Sequence, residues 1–223
     1  TIVTHNGKVP SKGRNVMLPT IENGFVTNIE FSDGSDQTAE YGLGILIFNC
    51  APLTRLVESA VNAEGMSINR DIVARHLSTL KVAAFRHEGY AAIMDSERAY
   101  FSANMDLLCA DVRRDLFNKE RPILTKTRDD MPTRYGTKSV AENCFIADGC
   151  VIDGTVKNSI LFRGVKVAKG AVIENSILMQ GTTVAEGAQL EYVIADKNAV
   201  IGADMMLKGT AAKSFIIKKN QTI

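Results

Sequence analysis

The 223-residue chain is 45% hydrophobic and 23% charged, with a formal net charge of +1. That balance belongs to an ordinary globular chain of one large or two small domains. So small a charge gives no footprint for nucleic acid. No apolar run reaches the ~20 residues that would cross a bilayer, because the richest stretch, 43–53, is broken by Gly44, Asn49 and Pro52. Neither nucleic acid nor membrane is an expected partner. Four cysteines, Cys50, Cys109, Cys144 and Cys150, form no CxxC pair and read as reduced, structural thiols of a cytoplasmic protein.

The opening residues, Thr1-Ile2-Val3-Thr4-His5, carry no initiator Met and no signal-peptide pattern, and read as the interior of a longer protein. Residues 24–31 alternate as a strand, 32–36 form a polar turn, and 43–49 read as a short buried apolar strand. From Pro52 the period changes. Leu53, Leu56, Val57, Ala60 and Val61 make one helical face, with Gly65 placed to end it. A second helix is expected from Arg70, capped by Asn69, with Ile72, Val73, His76, Leu77 and Leu80 on its buried side. On that face His76 is read as a satisfied core histidine. Residues 81–86 and 89–94 suggest two short strands. Asp95 or Ser96 then caps a third helix through Ala99, Tyr100, Ala103 and Leu107. The strands are few for a self-contained sheet.

Residues 111–138 form a basic connector, kept extended by Pro122 and Pro132. It reads as a solvated linker, or as an anion site in which Arg113, Arg114, Arg128 and Arg134 recognise phosphate. Beyond it, residues 139–223 repeat every 17 residues. Asn158-Ser159-Ile160-Leu161 recurs as Asn175-Ser176-Ile177-Leu178, and Val167-Ala168-Lys169-Gly170-Ala171 as Val184-Ala185-Glu186-Gly187-Ala188. Inside each copy the aliphatic residues fall about six apart, which marks a β-solenoid. Close to four coils are expected before the pattern decays near Met205. Cys144 and Cys150 occupy small inward positions, and Asn158 and Asn175 should stack at a corner. The solenoid holds no histidine, since His5, His76 and His87 all precede it. That argues against a hexapeptide acyltransferase or a γ-type carbonic anhydrase, which use solenoid histidines as base or metal ligands.

Three segments together resemble the bacterial ADP-glucose pyrophosphorylases, the glucose-1-phosphate adenylyltransferases of glycogen synthesis. Arg121-Pro-Ile-Leu-Thr-Lys-Thr-Arg-Asp-Asp-Met-Pro-Thr-Arg-Tyr-Gly136, with Asn158-Ser-Ile-Leu-Phe-Arg-Gly-Val165, is similar to that family's connector and left-handed β-helix. Glu97-Arg-Ala-Tyr-Phe-Ser-Ala-Asn-Met-Asp-Leu-Leu108 resembles the helix closing its catalytic domain. The resemblance implies residues 1–110 as the C-terminal part of a nucleotidyltransferase-like α/β domain, 111–138 as connector, and 139–223 as a left-handed parallel β-helix of hexapeptide type. It covers nearly the whole chain from about Gly24.

The family's Gly-rich nucleotide loop has no counterpart here. The position of its metal-binding Asp is Ile93, and isoleucine offers no oxygen to Mg²⁺. The region of its sugar-phosphate lysine matches residues 30–34, ending at Gly34, and no lysine occurs from Gly13 to Leu80. Gly44 stands where the family backbone approaches the sugar. The resemblance therefore implies an accessory or regulatory subunit with no catalytic residue and no metal of its own. It would assemble with a catalytic subunit of the same family, or with itself through the β-helix, Mg²⁺ serving the intact assembly. The alternative is a fragment of an active adenylyltransferase in which Asp95 replaces the missing carboxylate.

Overall fold

The structure, a computed structural model, describes residues 1–10, 16–32, 37–62 and 67–223. The chain divides into two compact units, Thr1–Asp95 and Ser96–Ile223.

In the first unit, β1 (Ile2–Lys8) is the middle strand of a three-stranded sheet. Between them in sequence stand β2 (Met17–Glu22) and β3 (Phe25–Phe31), which pair as a hairpin. Its two-residue turn, Asn23-Gly24, holds φ of 51° and 80°. Two successive positive φ values match the right-handed strand twist, and Asn-Gly is the pair that tolerates them. β4 (Thr38–Leu46) runs antiparallel along β1. It is an edge strand, so the stretch expected to be buried is not: Ile45 is 53% and Ile47 61% exposed.

Helix α1 (Cys50–Asn62) begins just before the expected Pro52. Of its anticipated apolar face, only Ala60 is buried, and Val61 is 65% exposed. Gly65 and Gly34 lie outside the described residues. The second helix is a short π-helical segment, Ile68–Ala74, and its cap is Ser67 rather than Asn69. The Ser67 hydroxyl accepts from the Arg70 N–H at 3.4 Å, and the Asp71 carboxylate accepts from the Ser67 N–H at 2.9 Å. This reciprocal bonding satisfies two otherwise orphaned donors. Ile72 and Val73 are buried beneath it. His76 is satisfied as expected, its Nδ1 lying 3.0 Å from the Ile72 carbonyl. β5 (Ala84–Arg86) runs parallel to β1. The strand expected at 89–94 does not form, because that stretch packs rather than pairs: Ile93 lies against Val9, Val16 and Tyr41.

The second unit opens with α2 (Glu97–Asp106), capped by the Ser96 hydroxyl on the Ala99 N–H at 3.2 Å. Asp95 is therefore not the cap. Phe101 of α2 packs on Ile177 and Ile194 of the solenoid, so this helix belongs with the β-helix. The division falls at Asp95/Ser96, ahead of the boundary expected at 110. The connector also differs from its sequence reading: it starts as a helix, α3 (Ala110–Leu116), runs without regular structure, and ends as the first solenoid strand.

Each solenoid coil contributes three short strands. The first coil is β6 (Arg134–Tyr135), β7 (Val140–Glu142) and β8 (Phe145–Ile146). The second is β9 (Val151–Ile152), β10 (Thr155–Lys157) and β11 (Ile160–Leu161). The third is β12 (Lys166–Val167), β13 (Val172–Glu174) and β14 (Ile177–Leu178). The fourth is β15 (Thr183–Val184), β16 (Gln189–Glu191) and β17 (Val193–Ala195). The last, β18 (Val200–Ile201), β19 (Met206–Lys208) and β20 (Phe215–Ile217), carries the prism beyond Met205. All pairings are parallel and each face holds five strands. This is the left-handed parallel β-helix of the hexapeptide type.

Inward residues Ile152, Leu161, Ile173, Leu178, Leu190 and Ile201 are at most 2% exposed, and each such burial is worth roughly 1.5–3 kcal/mol. Cys150 fills the core at 1% exposure and Cys144 packs against it. At one corner Asn143, Asn158 and Asn175 take φ between 44° and 49°, and the Asn143 amide donates to Asn158 Oδ1 at 2.8 Å. The serines that follow are buried and form their own ladder, with the Ser176 N–H donating to Ser159 Oγ and the Val193 N–H to Ser176 Oγ, each at 3.0 Å. One departure from the period matters below. The second coil is short, since Val140 pairs with Thr155 whereas Thr155 pairs with Val172.

Candidate functional site

The sequence marks a vestigial sugar and metal site on the first unit. Gly44 lies on the exposed edge strand β4 with φ of +77°, within an irregularity of register between Ile2↔Leu46 and Thr4↔Gly42. A Cβ added there would meet nothing within 4 Å. The glycine is thus needed for its backbone angle rather than for space. Ile93 belongs to an apolar cluster with Val9, Val16, Tyr41 and Leu43. A hydrocarbon wall of this kind does not fit Mg²⁺, which takes hard oxygen ligands. Asp95 is exposed, and among the described residues no group of three or more His, Cys, Asp or Glu is placed to hold a metal ion.

The same sheet brings together polar groups that no sequence spacing connects. Glu40 on β4 accepts from the buried Thr4 hydroxyl at 2.5 Å and from Arg86 Nε at 3.1 Å, while Arg86 Nη2 lies 2.5 Å from its other oxygen. Burial raises the Glu40 carboxyl pKa, but the hydrogen bonds from Arg86 and Thr4 and the Arg86 charge outweigh it, leaving the group below its ordinary value. Both carboxylate oxygens are engaged, so Glu40 is a structural anion across three strands rather than a free base. Beside it, His5 donates from Nδ1 to the His87 carbonyl at 3.0 Å, and His87 donates from Nε2 to the Tyr90 carbonyl at 3.3 Å. The His5 ring stands edge-on to Tyr41, centroids 5.8 Å apart. Sequence reasoning missed Glu40, Arg86, His5 and His87. Glu40, Arg86 and His5 lie on strands and His87 just beyond one, and no sequence spacing links them.

Three of the four arginines proposed from the connector have separate partners within the protein. Arg113 donates to the Leu107 carbonyl at 2.6 Å and stacks 5.9 Å from the Phe145 ring centroid. Arg114 pairs with Asp111 at 2.9 Å and Arg134 with Asp153 at 3.5 Å. Arg128 lies in the exposed stretch without regular structure. The solenoid thiols are inert: burial pushes both Cys144 and Cys150 above the ordinary thiol range, away from the reactive thiolate.

Comparison with known proteins bears on these residues. A family profile described as GlmU-like, C-terminal hexapeptide, matches residues 130–214. The glycogen biosynthesis protein GlgD of Geobacillus stearothermophilus is 44% identical over 224 aligned residues, covering 89% of this chain and 62% of that protein. GlgD of Bacillus subtilis (strain 168) is 42% identical over 156 residues, 70% of this chain and 46% of the relative. The glucose-1-phosphate adenylyltransferase of Clostridium botulinum (strain Eklund 17B / Type B) is 33% identical over 135 residues, 59% of this chain and 35% of that enzyme. The chain is a relative of the bacterial glucose-1-phosphate adenylyltransferases. Its similarity to the GlgD proteins reaches further along the chain than its similarity to that enzyme, and it spans about half the length of the curated relatives it matches. Among the described residues no helix is long and apolar enough to cross a membrane.

Proposed function

We propose that this chain is part of an accessory, regulatory subunit of glucose-1-phosphate adenylyltransferase in glycogen biosynthesis, and that it is itself non-catalytic. The assembly would act in the cytoplasm on ATP and glucose 1-phosphate, releasing ADP-glucose and pyrophosphate. The observation that carries this reading is Ile93. Where the family resemblance calls for a metal-binding carboxylate, the chain packs an isoleucine against Val9, Val16 and Tyr41. A site that has become hydrophobic core loses the charge compensation a phosphoryl-bridging Mg²⁺ supplies. The connector arginines would contribute to regulation one by one rather than as a single cluster.

The solenoid would serve as the assembly surface. Its outward residues include Val140, Val200, Met206 and Ile216, exposed by 41–76%, on flat parallel faces suited to a second subunit. The partner would be a catalytic subunit of the same family, with self-association through the β-helix as the other mode. The test is to mix the protein carrying this chain with a catalytic glucose-1-phosphate adenylyltransferase. Co-elution together with a change in the partner's kcat or KM supports the reading. Separate elution with unchanged kinetics refutes it.

A further inference from the structure

The second coil of the solenoid lacks two residues at one corner, and the gap has chemical consequences. In the third coil the corner runs Val167-Ala168-Lys169-Gly170-Ala171-Val172, and in the first Tyr135-Gly136-Thr137-Lys138-Ser139-Val140. In the second it is only Ile152-Asp153-Gly154-Thr155. The ladder identifies the loss: the Asp153 N–H donates to Val167 O and the Thr155 N–H to Ala171 O, so Asp153 sits one step before Ala168 and Gly154 one step before Ala171. The residues equivalent to Lys169 and Gly170 are missing. Gly154 makes this shortcut possible, since a Cβ there would meet Ala171 O at 2.5 Å and Ala168 O at 2.7 Å.

Further along the prism the corner amides are paired coil to coil. The Gly187 N–H donates to Lys169 O, and the Asp204 N–H to Glu186 O. The matching carbonyl for Gly170 is in the deleted pair, and among the described residues the Gly170 N–H meets no acceptor. The first and third corners thus face each other across two rungs, about 9.6 Å. Between them lies an open notch of about 390 Å³, lined by Thr137, Lys138, Asp153, Thr155, Lys169 and Gly170. Its one acid, Asp153, is held by Arg134 at 3.5 Å, which leaves the two lysine ammonium groups uncompensated. Among the described residues neither lysine has an ion-pair partner.

We propose that this notch binds a small phosphate-bearing anion. Residues carrying a free backbone N–H, two hydroxyls and two ammonium groups line a space large enough for a phosphorylated sugar. Backbone N–H groups and cations together are the donors that phosphate oxygens take. The site is independent of the accessory-subunit reading, because it uses no residue of the first unit and no partner.

Titration of the ¹⁵N-labelled chain with inorganic phosphate, followed by NMR, tests it. Saturable shifts of the Gly170, Thr137 and Thr155 amides are expected, weakened at least tenfold in a Lys138→Gln/Lys169→Gln variant. Inserting Lys-Gly after Asp153 restores the full corner, and that variant should keep the solenoid spectrum while losing the phosphate response. Glucose 1-phosphate in place of phosphate shows whether a sugar ester fits. Absence of saturation at tens of millimolar phosphate overturns the proposal, as does a response unchanged in the lysine variant or in the folded insertion.

Discussion

The solenoid and the α/β unit use similar amounts of chain in opposite ways. In the solenoid every inward residue lands in one continuous core, from Cys150 to Ile217, because a parallel ladder repeats the same environment at each rung. In the α/β unit burial is divided between a cluster around Ile2, Met17 and Val73 and a smaller one around Tyr41. Around them remain exposed apolar residues such as Ile45, Ile47, Val61 and Phe85. The difference teaches where each unit's stability and its chemistry reside. The repeat makes a ladder of similar coils with one short corner, in the second coil. In the α/β unit the polar groups that the sheet brings together, Thr4, Glu40 and Arg86, are tied to one another.

Substitutions should separate the two units, and the largest effect belongs to the solenoid. Ile173→Ala removes a fully buried side chain from the continuous core and should cost about 2–5 kcal/mol in denaturant unfolding. Val61→Ala on the exposed side of α1 should stay within about 0.5 kcal/mol. A comparable loss at Val61 would break the contrast. Gly154→Ala drives a Cβ into two backbone carbonyls and should cost about 1–3 kcal/mol. Gly44→Ala, with open space but a positive φ, should cost about 1 kcal/mol. Thermal unfolding of both variants checks that order.

Ile93→Asp restores a carboxylate in name only. Placed beside Val9 and Tyr41, it should lower stability by about 1–3 kcal/mol. It should not create Mg²⁺ binding measurable by calorimetry, because among the described residues no group of three or more His, Cys, Asp or Glu is placed to hold a metal ion. The smallest effect concerns pH. The Glu40 pKa is lower folded than unfolded, so its contribution is present above the unfolded carboxyl value near 4.5. It fades as pH falls through the lower folded value. Glu40→Gln should therefore unfold more easily at neutral pH, and its stability should depend less on acidification below about pH 4 than that of the parent chain.

What could be read from the sequence follows the same divide. A fixed period exposes the β-helix, its inward cysteines and its asparagine corner without any long-range information. It also hid the short second coil, because averaging over copies smooths one missing pair at Asp153-Gly154. In the α/β unit the decisive contacts join distant segments: β1 meets β5 through Ile2↔Ala84, and Glu40 meets Arg86 across 46 residues. Local patterns do not encode such pairings, and so they do not show that the strand ending at Leu46 lies at a sheet edge, or that 89–94 stay unpaired. Ile93 was legible as a lost carboxylate, but its role in the Tyr41 cluster was not. α2 could be recognised as a helix, whereas its packing on Ile177 and Ile194 depends on the folded solenoid.

Turnover by the isolated protein tests the central claim most directly. The polypeptide carrying this chain, purified without a partner, should release no pyrophosphate from ATP and glucose 1-phosphate with Mg²⁺ beyond the uncatalysed background. Turnover at a rate comparable to a catalytic glucose-1-phosphate adenylyltransferase would contradict the account.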